Sequence, residues 1–248
     1  MQTLAIVFAS FVPMFILERL YPGRKWPVRR LWIVRAVLFN AMQVVAVVLA
    51  MMTWDRFLPG LAFWSVEDLG LWGGAAIGYL AITFVYYWWH RARHESSLLW
   101  RLLHQLHHSP QRLELITSFY KHPLEIVLNG ILSSTILYVL VGANAAQAGL
   151  AVLLTGVAEL FYHWNVRTPH WIGFFVQRPE SHCVHHARAA HTMNYSDLPL
   201  WDMLFGTFHN PRETSFDCGF AGDGELQIGR MLLACEPDVE ECDDASHD

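Results

Sequence analysis

Long apolar runs, separated by short polar segments, dominate the first two thirds of the chain. Runs that approach twenty residues and contain few charges are typical of helices that cross a membrane. The fourth and fifth runs are shorter and are joined by a tight link, which indicates a membrane hairpin or, alternatively, a pair of buried core helices. The pattern therefore predicts five passages, at residues 4–20, 31–54, 70–89, 126–141 and 148–162.

Composition and loop charge support this layout. Charged residues make up 16% of the 248 residues and hydrophobic residues 54%, whereas soluble domains carry roughly 25% charged residues. This composition excludes disordered, collagen-like and coiled-coil proteins. The loops that follow the five passages hold four, one, five, none and five Lys or Arg residues. Because cytoplasmic loops are enriched in these residues, we expect the N-terminus outside and the C-terminus in the cytoplasm.

The net charge of −5 belongs to the C-terminal end of the chain. Residues 236–248 contain seven acidic residues and no Lys or Arg, while the rest of the chain is slightly basic. Such a run is typical of a solvated segment. We therefore predict one integral-membrane domain over residues 1–235 and an acidic, disordered tail over 236–248, and we expect no nucleic-acid partner.

The chain contains 14 histidines, and most of them lie in two segments that the predicted topology places on the same side of the membrane. Histidines three or four residues apart share one face of a helix and can direct their imidazoles to one point. The clusters are His90 with His94, then His104, His107 and His108, then His182, His185 and His186. Eight imidazoles exceed the roughly four ligands of one zinc ion, so the pattern predicts two metal ions. His163 is a ninth candidate ligand, and His122 and His191 are possible additional ones.

Imidazole ligands suit iron, copper, zinc or nickel. A zinc hydrolase usually shows the motif HExxH, but His94 and Glu95 are followed by Ser-Ser-Leu without the second histidine. A metal transporter would carry its ionisable residues within the membrane passages, whereas these histidines lie at the passage ends. A redox pair that activates oxygen explains both the number of ligands and the membrane setting, and a membrane zinc hydrolase remains the alternative of a different class.

Several further motifs accompany the histidines between residues 86 and 208. They are Tyr87-Trp88-Trp89-His90, Leu99-Trp100-Arg101, His122-Pro123-Leu124-Glu125, His163-Trp164-Asn165-Val166, Pro179-Glu180-Ser181-His182 and Leu204-Phe205-Gly206-Thr207. With the motifs in this order and at this spacing, the chain resembles members of the fatty acid hydroxylase/sterol desaturase superfamily, which are membrane-bound, histidine-rich di-iron oxygenases. We expect an all-α, polytopic membrane protein with four to five transmembrane helices and a cytoplasmic, histidine-rich helical cap.

The resemblance implies a centre of two iron ions that uses O2 as co-substrate to hydroxylate a lipid, such as a fatty acyl chain or a sterol, with desaturation as the alternative. Electrons would come from an external donor of the ferredoxin or cytochrome b5 type, because the chain has neither a His-Pro-Gly-Gly haem signature nor an iron–sulfur cysteine set. The ligands implied are His90, His94, His104, His107, His108, His163, His182, His185 and His186. The bacterial inner membrane is the favoured location, with the endoplasmic reticulum if the protein is eukaryotic.

Catalytic groups other than the metal ligands are not assigned by the sequence. Glu159, Asn165 and Asp202 are candidates to orient ligand imidazoles through hydrogen bonds, and Glu180 is a further one. Each of them has a capping or surface role as the alternative.

Overall fold

The computed structural model describes residues 2–188, 192–214 and 217–238. Ten α-helices lie in these ranges: α1 Gln2–Leu20, α2 Trp32–Met52, α3 Gly70–Glu95, α4 Ser97–Leu99, α5 Gln105–His108, α6 Pro123–Ser134, α7 Ala145–His163, α8 Pro179–His185, α9 Pro199–Phe205 and α10 Ile228–Leu232. Short 3-10 turns connect several of them. The described residues contain no β-strand, and a single bridge pairs Ala187 with Cys218.

Four stretches are long and apolar enough to cross a membrane, by length and composition. They are Trp32–Arg56, Glu67–Glu95, Pro123–Leu140 and Ala145–His163, and they match the second to fifth predicted passages. The expected all-α, polytopic class is confirmed. The first predicted passage, 4–20, coincides with α1, which carries Glu18 and Arg19 near its end and is not among these four.

Close packing of α3 against α7 brings two of these helices together. A Cβ at Gly78 of α3 would lie 3.2 Å from the Ala151 side chain of α7 and 2.7 Å from the Leu137 side chain, so glycine permits this close approach without displacing either neighbour. Beside it, the Gln147 amide donates hydrogen bonds to the carbonyl oxygens of Val66 and Gly70 at 3.1 and 2.9 Å. The start of α7 is thereby fixed to the start of α3.

A hydrophobic cluster fixes the segments that follow α3 and α7, which we call the cap, against α2. Trp32 and Phe39 of α2 pack on Tyr120, with ring centroids 5.3 and 4.8 Å apart. Leu106 of α5 and Met231 of α10 complete the cluster, and both are fully buried. Because Leu106 lies between two candidate ligands in sequence, this packing sets the position of the second histidine cluster.

Two segments have π-helical winding, and one of them carries a candidate ligand. Between α4 and α5, residues Trp100–His104 form a π-helical turn, and α6 continues as a π-helical segment over Thr135–Leu140. Such turns widen a helix by one residue per turn and often occur at functional sites. The first of them delivers His104 into the centre described below.

Only the first three residues of the predicted acidic tail lie within the described ranges. Asp238 pairs with Arg230 of α10 at 2.9 Å, and its backbone N–H donates to Gln227. The remainder of that segment, 239–248, lies outside the described residues.

Candidate metal centre

The structure brings all nine candidate ligands together in two adjoining groups. Within each group the possible ligand atoms lie within 4.8 Å of one another. The first group contains His90, His94, His104, His108 and His185, and the second contains His107, His163, His182 and His186. The imidazoles of His108 and His186, one from each group, stack with ring centroids 4.2 Å apart. The two groups therefore share a wall and form one centre.

Helix ends supply these side chains. His90 and His94 occupy the last turns of α3, and His163 is the last residue of α7, so the membrane helices themselves extend into the centre. The second histidine cluster comes from the π-helical turn and α5, and the third comes from α8 and the residue after it.

The Nε2 atoms of neighbouring imidazoles face one another at short range. His104 Nε2 lies 2.9 Å from His90 Nε2 and 3.2 Å from His108 Nε2. In the second group, His182 Nε2 lies 3.2 Å from His163 Nε2 and 3.1 Å from His186 Nε2. Two nitrogens at right angles around one ion, each about 2.1 Å from it, are about 3 Å apart. The spacing therefore fits ligands that share an ion.

Backbone carbonyls fix the opposite ring nitrogen of several of these histidines. His90 Nδ1 lies 2.7 Å from the Tyr195 carbonyl oxygen, and His163 Nδ1 lies 2.9 Å from the Glu159 carbonyl oxygen. A carbonyl only accepts hydrogen bonds, so Nδ1 carries the proton and Nε2 keeps its lone pair. Carbonyls also face Nδ1 of His185, at 2.8 Å, and of His107, at 3.3 Å.

A buried ion pair holds His104 in the same way. The Glu125 carboxylate lies 3.1 Å from His104 Nδ1 and pairs with Arg93, and both partners are buried. The Arg93 guanidinium also lies 3.2 Å from the same Nδ1. His104 Nε2 faces His90 Nε2 at 2.9 Å, and two imidazole nitrogens at this distance can bind one metal ion between them.

Burial keeps the imidazoles outside the membrane stretches neutral. It lowers the pKa of His104, His107, His108 and His182 well below the ordinary value of 6.5. Neighbouring positive charge adds to this effect, from Arg93 at His104 and from other imidazoles at the remaining three. Metal ligation requires the neutral form, so the folded chain presents these ligands ready to bind at neutral pH.

The predicted orienting residues act through backbone or at a distance. Glu159 contributes its carbonyl oxygen to His163, while its carboxylate pairs with Lys121. Asp202 accepts hydrogen bonds from the backbone N–H groups of Tyr195 and Ser196 at 2.8 and 3.0 Å, and so fixes the loop whose carbonyl meets His90.

Asn165 and Glu180 contact no imidazole through their side chains in the described residues. The Asn165 amide bonds the backbone of Arg24 at 2.9 Å in both directions, which ties the loop before α2 to the end of α7. The Glu180 carboxylate accepts hydrogen bonds from Thr168 and Arg178.

Of the two additional histidine candidates, His122 joins neither group. His122 is at the start of α6, where its Nδ1 accepts a hydrogen bond from the Leu124 N–H at 3.1 Å and caps the helix. His191 lies outside the described residues. Conversely, Glu125 and the Tyr195 carbonyl contact ligands directly and were not singled out from the sequence as orienting groups. The position of Glu125 three residues after His122, within a family motif, was the available signal.

A cavity of about 550 Å³ leads from the centre into the membrane region between α2, α3, α6 and α7. His90, His104, His107 and His182 line one end of it. Its size is that of a small-molecule or lipid-chain site. The centre is therefore accessible from among the membrane helices.

Residues 75–207 match the family model for fatty acid hydroxylase. This match covers more than half of the chain and includes all nine histidines of the two groups. The chain belongs to the fatty acid hydroxylase family, and the resemblance predicted from the motifs is confirmed.

Several curated proteins are similar to this chain over part of their length. An ornithine lipid hydroxylase from Rhizobium tropici is 36% identical over 152 residues, covering 59% of this chain and 45% of that protein. Alkylglycerol monooxygenase from Homo sapiens is 30% identical over 140 residues, covering 54% and 30%. A very-long-chain aldehyde decarbonylase from Oryza sativa subsp. indica is 27% identical over 189 residues, covering 68% and 29%. The chain spans less than half the length of these three relatives. No solved structure matches it significantly.

Proposed function

We propose that the protein is a membrane-bound di-iron oxygenase that hydroxylates a C–H bond of a lipid, such as a fatty acyl chain, a sterol or a related molecule. The observation that carries the proposal is the pair of adjoining histidine groups at one end of a lipid-sized cavity. O2 is the co-substrate, and a separate protein of the ferredoxin or cytochrome b5 type supplies the electrons.

The donor set supports iron as the metal. Its members are imidazole nitrogens, which suit iron, copper, nickel or zinc and not the oxygen-seeking Mg²⁺ or Ca²⁺. The first group offers five such nitrogens, one more than the four ligands that zinc takes in structural sites. Two iron ions would supply the redox chemistry that activation of O2 requires.

The net reaction balances with the reactants named. The lipid, O2, two electrons and two protons give the hydroxylated lipid and one water, so one oxygen atom enters the C–H bond and the other leaves as water. The chain contributes neutral imidazoles whose orientation is fixed by hydrogen bonds at Nδ1, including that of His104 to Glu125. The apolar part of the cavity binds the lipid and excludes bulk water from the reacting carbon.

Two alternatives remain testable. The same centre would support desaturation, in which a second hydrogen is removed and the product keeps no added oxygen. A membrane zinc hydrolase would need a carboxylate base beside an open metal position. Glu125, the carboxylate that contacts the first group, is already paired with the Arg93 guanidinium, which disfavours such a role.

The test is turnover by purified, iron-loaded protein in vesicles of total bacterial polar lipid, with an electron-donor system and isotopically labelled O2. We expect a lipid product that depends on O2 and on the reductant and carries one labelled oxygen atom. His107→Ala and His185→Ala, one from each group, are expected to reduce turnover by more than about 100-fold.

The matched control is His170→Ala. His170 lies outside both groups, and its Nε2 is 3.1 Å from the Asn210 carbonyl oxygen. This variant is expected to keep turnover near the wild-type rate. A product formed without O2 would contradict the oxygenase, and an unlabelled product with a new double bond would favour the desaturase.

The histidine centre is proposed to face the cytoplasm, in the inner membrane of a bacterium or in the endoplasmic reticulum of a eukaryote. The alternation of basic loops supports this orientation. Reporter fusions test it, with one fusion after Asn144 in the α6–α7 link and another after Asp238. An external reporter signal at the first position and a cytoplasmic signal at the second are expected, and the reverse pattern would contradict the proposed orientation.

A further inference from the structure

The walls of the cavity change from polar to apolar with distance from the histidines. On α7 the lining residues run from Glu159 through Thr155 and Val152 to Ala148. This change covers eleven residues, or about 16 Å along a helix. It is comparable to half of the roughly 30 Å hydrocarbon core of a bilayer.

The other helices repeat the gradient. On α6 and its π-helical continuation, the lining residues at successive turns include Glu125, Asn129, Ser133 and Leu137. On α2 they are Asn40, Gln43, Val47 and Met51. In both cases the polar end is the end near the histidines, and the apolar end lies deeper among the membrane helices. A further charged lining residue, Asp55, lies beyond the end of α2 at the opposite mouth.

Charged side chains concentrate close to the candidate ligands. Lys121 and Glu159 form an ion pair on the cavity wall, and their side chains are only 12% and 17% exposed. Glu159 is one helical turn, about 6 Å, before His163. The residue before Lys121 is Tyr120, whose carbonyl oxygen faces His107 Nδ1. A polar group bound at this pair therefore lies beside the two segments that carry His107 and His163 of the second histidine group.

We propose that the substrate is a polar lipid that binds with its head group at the Lys121–Glu159 end and its chain in the apolar end, so that the oxidised C–H bond is close to the head group. This inference rests on the proposed function and specifies its substrate class and position of attack. A head group among the apolar lining residues would lose its hydrogen bonds to water, which is unfavourable, and Asp55 at the opposite mouth would replace only some of them. In the reverse orientation, the terminal methyl group of the chain would also lie against the buried ion pair.

The test uses synthetic polar lipids that share one head group and differ in chain length. Wild-type protein is supplied with O2 and the electron-donor system, and tandem mass spectrometry locates the added oxygen. We expect the oxygen at one fixed position counted from the head group, whatever the chain length. An oxygen at a fixed distance from the terminal methyl group, or in the middle of the chain, would overturn the inference and leave the proposed function intact.

Variants of α2 provide a second, independent measurement. Val47→Phe fills the apolar end of the cavity, whereas Val48→Phe makes the same change at an adjacent residue that does not line it and is 38% exposed. We expect Val47→Phe to lower kcat/KM for the longest chain by about tenfold or more and to leave the oxidised position unchanged. Val48→Phe is expected to leave both unchanged.

The remaining outcomes are also informative. If Val47→Phe moves the oxidised position along the chain without affecting chain-length preference, the chain does not occupy the apolar end and the inference is wrong. If no lipid yields an O2-dependent product with iron-loaded wild-type protein, the proposed function fails and the inference fails with it.

Discussion

Replacing Glu125 by Gln is expected to weaken metal binding at the first histidine group beyond its effect on folding. The Glu125 carboxylate is fully buried, pairs with Arg93, and lies 3.1 Å from His104 Nδ1. The amide keeps the shape of the side chain but removes its charge. It therefore cannot compensate the charge of the Arg93 guanidinium or hold the His104 imidazole with the same strength.

Two magnitudes follow from these contacts. Loss of one partner of a buried ion pair costs about 3–5 kcal/mol of stability, because the other charge stays buried. Loss of the group that orients a ligand imidazole lowers metal affinity by about 10–100-fold, or about 1.4–2.7 kcal/mol. The first effect lowers the melting temperature with or without metal, and the second appears only in metal binding.

Chelator competition with iron and thermal unfolding in detergent separate the two effects. The matched control is Glu225→Gln, since Glu225 is 1% exposed, pairs with Arg35 at 2.9 Å and belongs to neither histidine group. We expect both variants to lose stability and only Glu125→Gln to lose iron affinity. Equal iron affinity in the two variants would refute the assigned role of Glu125.

Three further outcomes are expected. Without metal, the protein should become less stable below about pH 6.5, because folding lowers the pKa of His104 and of three other buried histidines, so that only the unfolded chain takes up protons there. Each such group lowers the free energy of unfolding by up to about 1.4 kcal/mol per pH unit. A melting temperature that does not change between about pH 7 and 5.5 would contradict this prediction. Asp202→Ala should lower iron affinity by about tenfold, because two backbone N–H groups of the loop that contacts His90 lose their acceptor. Chelator competition measures this affinity. An unchanged affinity would show that the loop keeps its position without the Asp202 carboxylate. Gly142→Ala should destabilise the fold by more than about 1 kcal/mol, since Gly142 has a φ of +68° and a Cβ there would lie 1.9 Å from the Trp64 carbonyl oxygen. The control is Gly60→Ala, whose Cβ would meet no neighbour and which should change the melting temperature little. Equal changes in melting temperature in the two variants would contradict this prediction.

The apolar pattern predicted the membrane helices well, because it records directly which stretches avoid water. The third predicted passage, 70–89, nevertheless ends six residues before α3 does. The additional turns carry polar residues whose partners lie elsewhere in the fold: His90 contacts the Tyr195 carbonyl oxygen, and Arg93 pairs with Glu125. Their helicity depends on these tertiary contacts, which hydropathy along the chain does not record.

The nine candidate ligands were predicted, but their division into two groups was not. Successive residues on a helix point about 100° apart, so adjacent histidines such as His107 and His108 must face different directions. The group that each of these histidines joins depends on how α5 and α8 are placed against each other. His185 joins the histidines of α3 in the first group, while His182 and His186 meet His163 in the second.

Orienting groups were harder to predict, because several of them are backbone carbonyls. The Tyr195 and Glu159 carbonyl oxygens hold imidazoles irrespective of the side chains that these residues carry. Sequence reasoning selects side chains, and it therefore named the Glu159 carboxylate, which instead pairs with Lys121.

Iron binding by the purified chain tests the central proposal most directly. Mössbauer spectroscopy and metal analysis of protein saturated with iron under anaerobic conditions should give two irons per chain with nitrogen-rich coordination. Replacement of His163 and His186 by Ala should remove iron from the second group, while the first group, with its five imidazoles intact, retains one ion. A wild-type chain that binds no more than one iron at saturation would contradict the account.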